Sequence, residues 1–124
     1  MYLKVLRAKI HRAVVTKAEA DYVGSIAIDG ELMDAVGIVP GECVLVADID
    51  NGARFETYAV AGPRASGTIC VNGAAAGLVS VGHKVIIIAF VLAGPEEVAR
   101  HVARVALVDG KNRPLRVLET RTMP

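Results

Sequence analysis

A chain of 124 residues is long enough for one domain and too short for two ordinary ones. Hydrophobic residues make up 53% of it and aromatics only 4%, so aliphatic side chains must fill a tight core, and the surplus apolar surface calls for subunit contacts. The 14 basic and 13 acidic residues are interspersed and leave a net charge of +1, which excludes a cationic stripe for nucleic acid or for an anionic membrane surface.

The first residues, "MYLKVLRAKIHR", carry charges every few positions and lack the apolar core of a secretory signal. The longest apolar run, "VIIIAFVLAG" from Val85, is too short to span a bilayer as a helix. A soluble, cytoplasmic domain is expected. Cys43 and Cys70 lie in apolar runs and are expected to be small buried hydrophobes, and no CxxC or Cys/His spacing points to zinc.

In chain order, "YLKVLRAKIHRAVVT" reads as an opening strand. A second strand, "DYVGSIAID", is interrupted by Gly24 and Ser25. "DGELMDAVGI" has Leu32, Met33 and Val36 at helical spacing, with Asp29 placed to cap it and Gly37 to stop it. "ECVLVADI" and "RFETYAVAG" are strands joined through Asp50-Asn51-Gly52, a hairpin signal. "TICV" and "HKVIIIAFVL" are further strands separated by "NGAAAG". The latter lacks alternation, so both its faces should be covered, by core or by a neighbouring subunit. "GPEEVARHVARV" starts as a helix at Pro95, with His101 on its charged, solvated face. "VALVDGKNRPLRVLE" closes with a strand, a turn and an extended segment, and the final "TRTMP" is expected to fray. Many short strands at even spacing suggest a mainly β chain, a small closed or nearly closed barrel with two or three short helices.

Four stretches hold candidate chemistry: Lys9 and His11; Tyr22 to Ser25; Arg54 to Tyr58; and Asn72 to Ala76. Singly, each has an ordinary explanation. A Gly-Ser pair marks a bulge, Lys9 and Arg54 are solvated charges, and Thr57 and Tyr58 are good strand formers.

Taken together, "KIHRAVVTKAEADYVGSIAID", "NGARFETYAVAG", "ICVNGAAAGLVSVGHKVIIIAF" and "VALVDGKN" cover nearly the whole chain. In that order they resemble the aspartate 1-decarboxylase family, the pyruvoyl-dependent enzymes that make β-alanine for pantothenate synthesis. The resemblance implies a double-psi β-barrel assembled as a homotetramer with sites between subunits. It also implies self-cleavage of the single domain 1–124 between Gly24 and Ser25, giving a β chain of residues 1–24 and an α chain of residues 25–124. Ser25 Oγ would attack the Gly24 carbonyl, and elimination with loss of ammonia would leave a pyruvoyl group where Ser25 stood. Glycine on the acyl side would remove bulk and let the scissile peptide sit in a strained turn. The strand would be broken there because a serine in regular pairing is out of reach.

The mature cofactor implied is this covalent pyruvoyl, with neither metal nor PLP. It would form a Schiff base with L-aspartate and act as electron sink for loss of CO2. By the same resemblance Thr57 steadies the oxyanion of cleavage and Tyr58, whose phenol keeps its proton at neutral pH, protonates the carbanion. Arg54 offers a planar fork for a carboxylate, with Lys9 and His11 as second contacts. Asn72 would hydrogen-bond near the pyruvoyl end, and Gly73, Ala74 and Ala75 would form a close backbone wall against the substrate. A maturation factor is left open.

The chain departs from the family pattern at Gly77, at His83 (often an acid) and at Asp48 (often an asparagine), where altered surface or interface packing is expected. Alternatives are a non-catalytic oligomeric barrel that binds ligands, a pyruvoyl decarboxylase for another amino acid, and a self-cleaving protein without later catalysis. Gly24-Ser25 with Arg54, Thr57 and Tyr58 weighs against the first, the cationic pair against the second, and Tyr58 against the third.

Overall fold

Alternating apolar residues drive most of the chain into strands, and the computed structural model, which describes residues 1–121, is accordingly mainly β. The strands are β1 (Leu3–Val14), β2 (Lys17–Glu19), β3 (Ser25–Asp29), β4 (Cys43–Asp48), β5 (Arg54–Gly62), β6 (Ile69–Asn72), β7 (Lys84–Ala93), β8 (Ala103–Val108) and β9 (Pro114–Thr120). Three short helices interrupt them: α1 (Gly30–Val36), a 3-10 helix (Gly73–Leu78) and α2 (Pro95–Val98).

The sheet order is β2-β6-β3-β5-β4-β7-β1-β8-β9. β2 follows directly on β1, and Thr16 N–H donates to Ile69 O at 2.8 Å. One nearly continuous stretch therefore pairs with β7 through its first part and with β6 through its last. That arrangement is consistent with a small β-barrel. Inward positions of the strands supply the core: Ile10, Ile26, Ile28, Ile69 and Ile87 are fully buried, joined by Leu32 from α1. Each such side chain contributes about 1.5–3 kcal/mol by leaving water.

The expected helix over "DGELMDAVGI" forms as α1. Asp29 Oδ1 accepts from Glu31 N at 2.9 Å, and Gly37 ends the helix at φ +80° with its N–H on Met33 O. Buried Asp29 does more than cap, since its carboxylate also accepts from Ala65 N and Gly67 N. β4 and β5 form the expected hairpin around Asp50-Asn51-Gly52, but the register begins at Ala47↔Arg54, so the loop is wider than a two-residue turn. Asp48 widens it: its buried Oδ1 accepts from the backbone N–H groups of Asp50 and Asn51.

The helix from Pro95 and the burial of Cys43 need correction. The helix from Pro95 lasts a single turn, and His101 lies beyond it, half-buried, with Nε2 2.6 Å from Leu6 O. The chain must straighten there because β8 runs parallel to β1 from Ala103 onward. Cys43 is exposed, its thiol 3.6 Å from Glu56 Oε2, because it occupies an outward position of β4; Cys70 is buried as expected, and both are free thiols. In β7, Val85, Ile87 and Ala89 are buried, whereas Ile86, Ile88 and Phe90 on the other face are only half-covered within one chain. Of the terminal "TRTMP", Thr120 still belongs to β9, and residues 122–124 lie outside the described residues.

Candidate active site

The break in the second expected strand falls before Ser25, not at it. Tyr22, Val23 and Gly24 are exposed and irregular, whereas Ser25 is 6% exposed and heads β3 in register with Asn72. Ser25 is thus held in regular pairing, with the loose segment on its acyl side. Asn72 Nδ2 donates to Ser25 Oγ at 3.2 Å, and Cys70 Sγ donates to Asn72 Oδ1 at 3.2 Å. Burial pushes the Cys70 thiol up, and nearby Glu19 adds to the rise against the opposing pull of Lys17, so the thiol keeps its proton.

The glycine whose freedom matters is Gly73. Its φ is +81°, and a Cβ there would stand 2.5 Å from Gly24 Cα and 3.2 Å from Tyr22 O. At Gly24 a Cβ would meet nothing closer than Asn72 O at 4.0 Å, and its φ lies outside the left-handed region. Gly24 thus adopts no left-handed φ, and close backbone approach comes from the Asn72-Gly73 side. Ala74 is exposed and Ala75 half-buried in the 3-10 helix that follows.

β3 runs parallel to β5 with Ile26 beside Ala59. The parallel ladder starts at Ile26↔Ala59, one residue after Ser25 on β3 and one after Tyr58 on β5. Tyr58 is 40% exposed and shares its outward face of β5 with Arg54, while Thr57 takes the opposite face. Four residues of strand put Arg54 and Tyr58 Cα atoms about 13 Å apart.

Lys9 and His11 lie on β1, which pairs with β7 and β8 and not with β3 or β5. Lys9, Ile88, Leu45 and Glu56 line up across β1, β7, β4 and β5. Counted through β7, β4 and β5, β1 and β3 are four strands apart, while β2, the continuation of β1, pairs with β6 next to β3. His11 instead borders a cavity of ≈ 340 Å³ with Arg12, Lys84 and Leu107. Burial, then the charges of Lys9 and Arg12, hold its imidazole below the ordinary 6.5, so at neutral pH it offers a neutral ring whose buried Nδ1 has no hydrogen-bond partner among the described residues. Beside Asn72 lies a cavity of ≈ 430 Å³ lined by Lys17, Tyr22 and Cys70 among others.

Asp48, Asp50 and His83 bring ligand-type atoms within 4.8 Å of one another. Their oxygens already serve the hairpin: Asp48 Oδ2 meets His83 Nδ1 at 2.7 Å and Asp50 Oδ2 accepts from Lys84 N at 2.7 Å. The cluster is a turn lock.

Cys70 and the Asp48–His83 pair escaped the sequence-based reading. The i, i+2 spacing of Cys70 and Asn72 on one strand face was a signal for the first. Nothing in the local pattern signals the second, whose partners are 35 residues apart.

The family model described as aspartate decarboxylase matches residues 1–115. The aspartate 1-decarboxylase of Caldicellulosiruptor saccharolyticus is 56% identical over 91% of this chain and 88% of its own length. That of Lactiplantibacillus plantarum is 55% identical over 91% and 87%, and that of Carboxydothermus hydrogenoformans 51% identical over 96% and 94%. With a match that spans Ser25, Tyr58, Asn72 and Gly73 alike, the chain belongs to the aspartate decarboxylase family of carboxy-lyases.

Proposed function

We propose that the chain cuts itself between Gly24 and Ser25, converts Ser25 to a pyruvoyl group, and then decarboxylates L-aspartate to β-alanine and CO2. The observation that carries this reading is the setting of Ser25: a buried hydroxyl next to an exposed, irregular acyl-side segment, with an amide donor on Oγ and a side-chain-free Gly73 against Gly24. In the cut, the Ser25 Oγ–Gly24 C bond forms as the Gly24 C–Ser25 N bond breaks, and the hydroxyl proton ends on the nitrogen. The Asn72 amide supports Oγ as it loses that proton. Thr57, on the strand next to β3, is suited to receive the carbonyl oxyanion.

The residues around Ser25 fit a pyruvoyl group, since Gly73 leaves the space that any Cβ would fill and Asn72 supplies a donor. Once formed, that group supplies an electron sink for a substrate amine. The chain's own residues then bind and protonate. Arg54 holds a substrate carboxylate through its guanidinium fork, and Tyr58 delivers the proton that replaces CO2. Lys9 and His11 come from an adjacent subunit of a homotetramer, a reading supported by the half-covered face of Ile86, Ile88 and Phe90. The product serves pantothenate and coenzyme A synthesis in the cytoplasm.

Intact mass under denaturing conditions tests the proposal. Residues 1–24 and 25–124 should appear as separate species, the larger lighter by one ammonia than its serine form, and the purified sample should release β-alanine from aspartate. A single whole mass that survives prolonged warming would overturn it.

A further inference from the structure

Ser25 Oγ gathers negative charge twice on the route above. It does so first when its proton leaves, and again when the Ser25 Cα proton is removed, the Cβ–Oγ bond breaks and Oγ departs with the Gly24 acyl group as a carboxylate. A donor fixed on Oγ assists both steps. Asn72 is that donor only in one of its two orientations. The carboxamide is nearly symmetric in shape, and turned over it would present Oδ1, an acceptor, to Oγ.

The orientation is decided by the other end of the amide. Cys70 lies two residues before Asn72 on the same face of β6, with Sγ 3.2 Å from Oδ1. A thiol that keeps its proton donates to Oδ1 and offers a poor acceptor to an N–H, so turning the amide over would lose the bond to the thiol and leave Ser25 donating to Oδ1, with no N–H on Oγ. Cys70 is 9% exposed and pairs in register with Ala27 of β3, so its side chain is anchored by both strands.

We propose that Cys70 is a positioning residue for self-cleavage, acting through Asn72 to keep the amide N–H on Ser25 Oγ. The role rests on the self-cleavage reading. It requires a donor at position 70, of small size, and assigns the thiol no covalent part.

The test follows the fraction of cut chain with time by denaturing mass spectrometry in the wild type, Cys70→Ser, Cys70→Val and Cys70→Ala. Valine fills the volume without a donor, alanine removes the donor with less bulk, and serine restores one. Val and Ala should slow cleavage by about fivefold to tenfold, the worth of one hydrogen bond, while Ser stays within about twofold of wild type. Melting temperatures read alongside separate packing from positioning, and the Ala variant stands if Val misfolds. Wild-type rates in Val or Ala, or a Ser variant as slow as Ala, would overturn the role while leaving self-cleavage intact. A wild type that never cuts would overturn the self-cleavage reading, and this role with it.

Discussion

His83 Nδ1 sits 2.7 Å from Asp48 Oδ2, with the aspartate side chain fully buried and the imidazole about a quarter exposed. Altered surface or interface packing is the expectation at both positions, and within the chain they are each other's partners. The pair keeps the β4–β5 hairpin tied to the start of β7. Replacing His83 with Ala leaves a buried carboxylate oxygen without its partner. Such a loss costs about 1–3 kcal/mol, read as a lowered urea midpoint at fixed protein concentration. His83→Ala with Asp48→Asn should recover part of that, because the neutral amide costs less to strand.

Gly73→Ala should block cutting while leaving most of the fold in place. The left-handed φ alone costs about 1–2 kcal/mol for an L residue. The added Cβ would meet backbone at Gly24 rather than a flexible side chain, so the 22–24 segment must move away from Ser25. A time course of intact mass should show whole chain only, with secondary structure retained by circular dichroism. Normal cutting would mean that close approach of Gly73 has no part in the reaction.

Ser25→Ala should fold, stay whole and release no β-alanine. Tyr58→Phe should be cut normally, since its phenol is assigned to the later protonation, yet lose about 10²–10⁴ in turnover for want of a proton donor. A Tyr58→Phe chain that fails to cut would move the phenol into the processing step.

How much of this was legible beforehand differs by element, for physical reasons. Asp29 and Gly37 announce α1 because capping is a local contract between neighbouring residues. The helix after Pro95 was overread because its ending is imposed from afar: β1 claims Ala103 as a parallel partner and Leu6 O meets His101. The same logic separates Gly73 from Gly24. Sequence marks both as pliant, but only the packing of the 73 backbone against residue 24 says which one has no room for a side chain. Ser25, Arg54 and Tyr58 were recognisable as residue types in a pattern, whereas the Cys70–Asn72–Ser25 relay depends on two strands pairing antiparallel.

The β8–β9 turn makes a pH-dependent contribution whose sign is fixed by Asp109. Backbone N–H groups of Arg113 and Lys111 donate to its Oδ1 at 2.9 Å each, and together with the Arg113 side chain they hold the carboxyl below its ordinary 3.8. Because the folded value is the lower one, the unfolded chain takes up the proton first as pH falls. The stabilisation is thus complete well above pH 3.8 and is lost as pH drops below it toward the folded value. Asp109→Asn cannot titrate. Its stability at neutral pH should be lower than wild type, and the gap should shrink on acidification through that window, measured by chemical denaturation at successive pH values. A gap that stays constant would mean the turn contributes nothing through its charge.

Two individually inactive variants should rescue each other if Lys9 and Tyr58 of different subunits share a site. In one chain their strands are three spacings apart, with β7 and β4 between them. A Lys9→Ala assembly lacks one carboxylate contact in every site, and a Tyr58→Phe assembly lacks the proton donor in every site. Coexpression of the two chains creates mixed assemblies in which some interfaces draw Lys9 from one chain and Tyr58 from the other, both intact. Decarboxylation of aspartate by the coexpressed sample should exceed that of either parent, while separately purified parents mixed without exchange should show only the sum. If coexpression gives no gain although mass spectrometry shows mixed assemblies, both residues act within one chain, and the half-covered face of β7 needs another explanation.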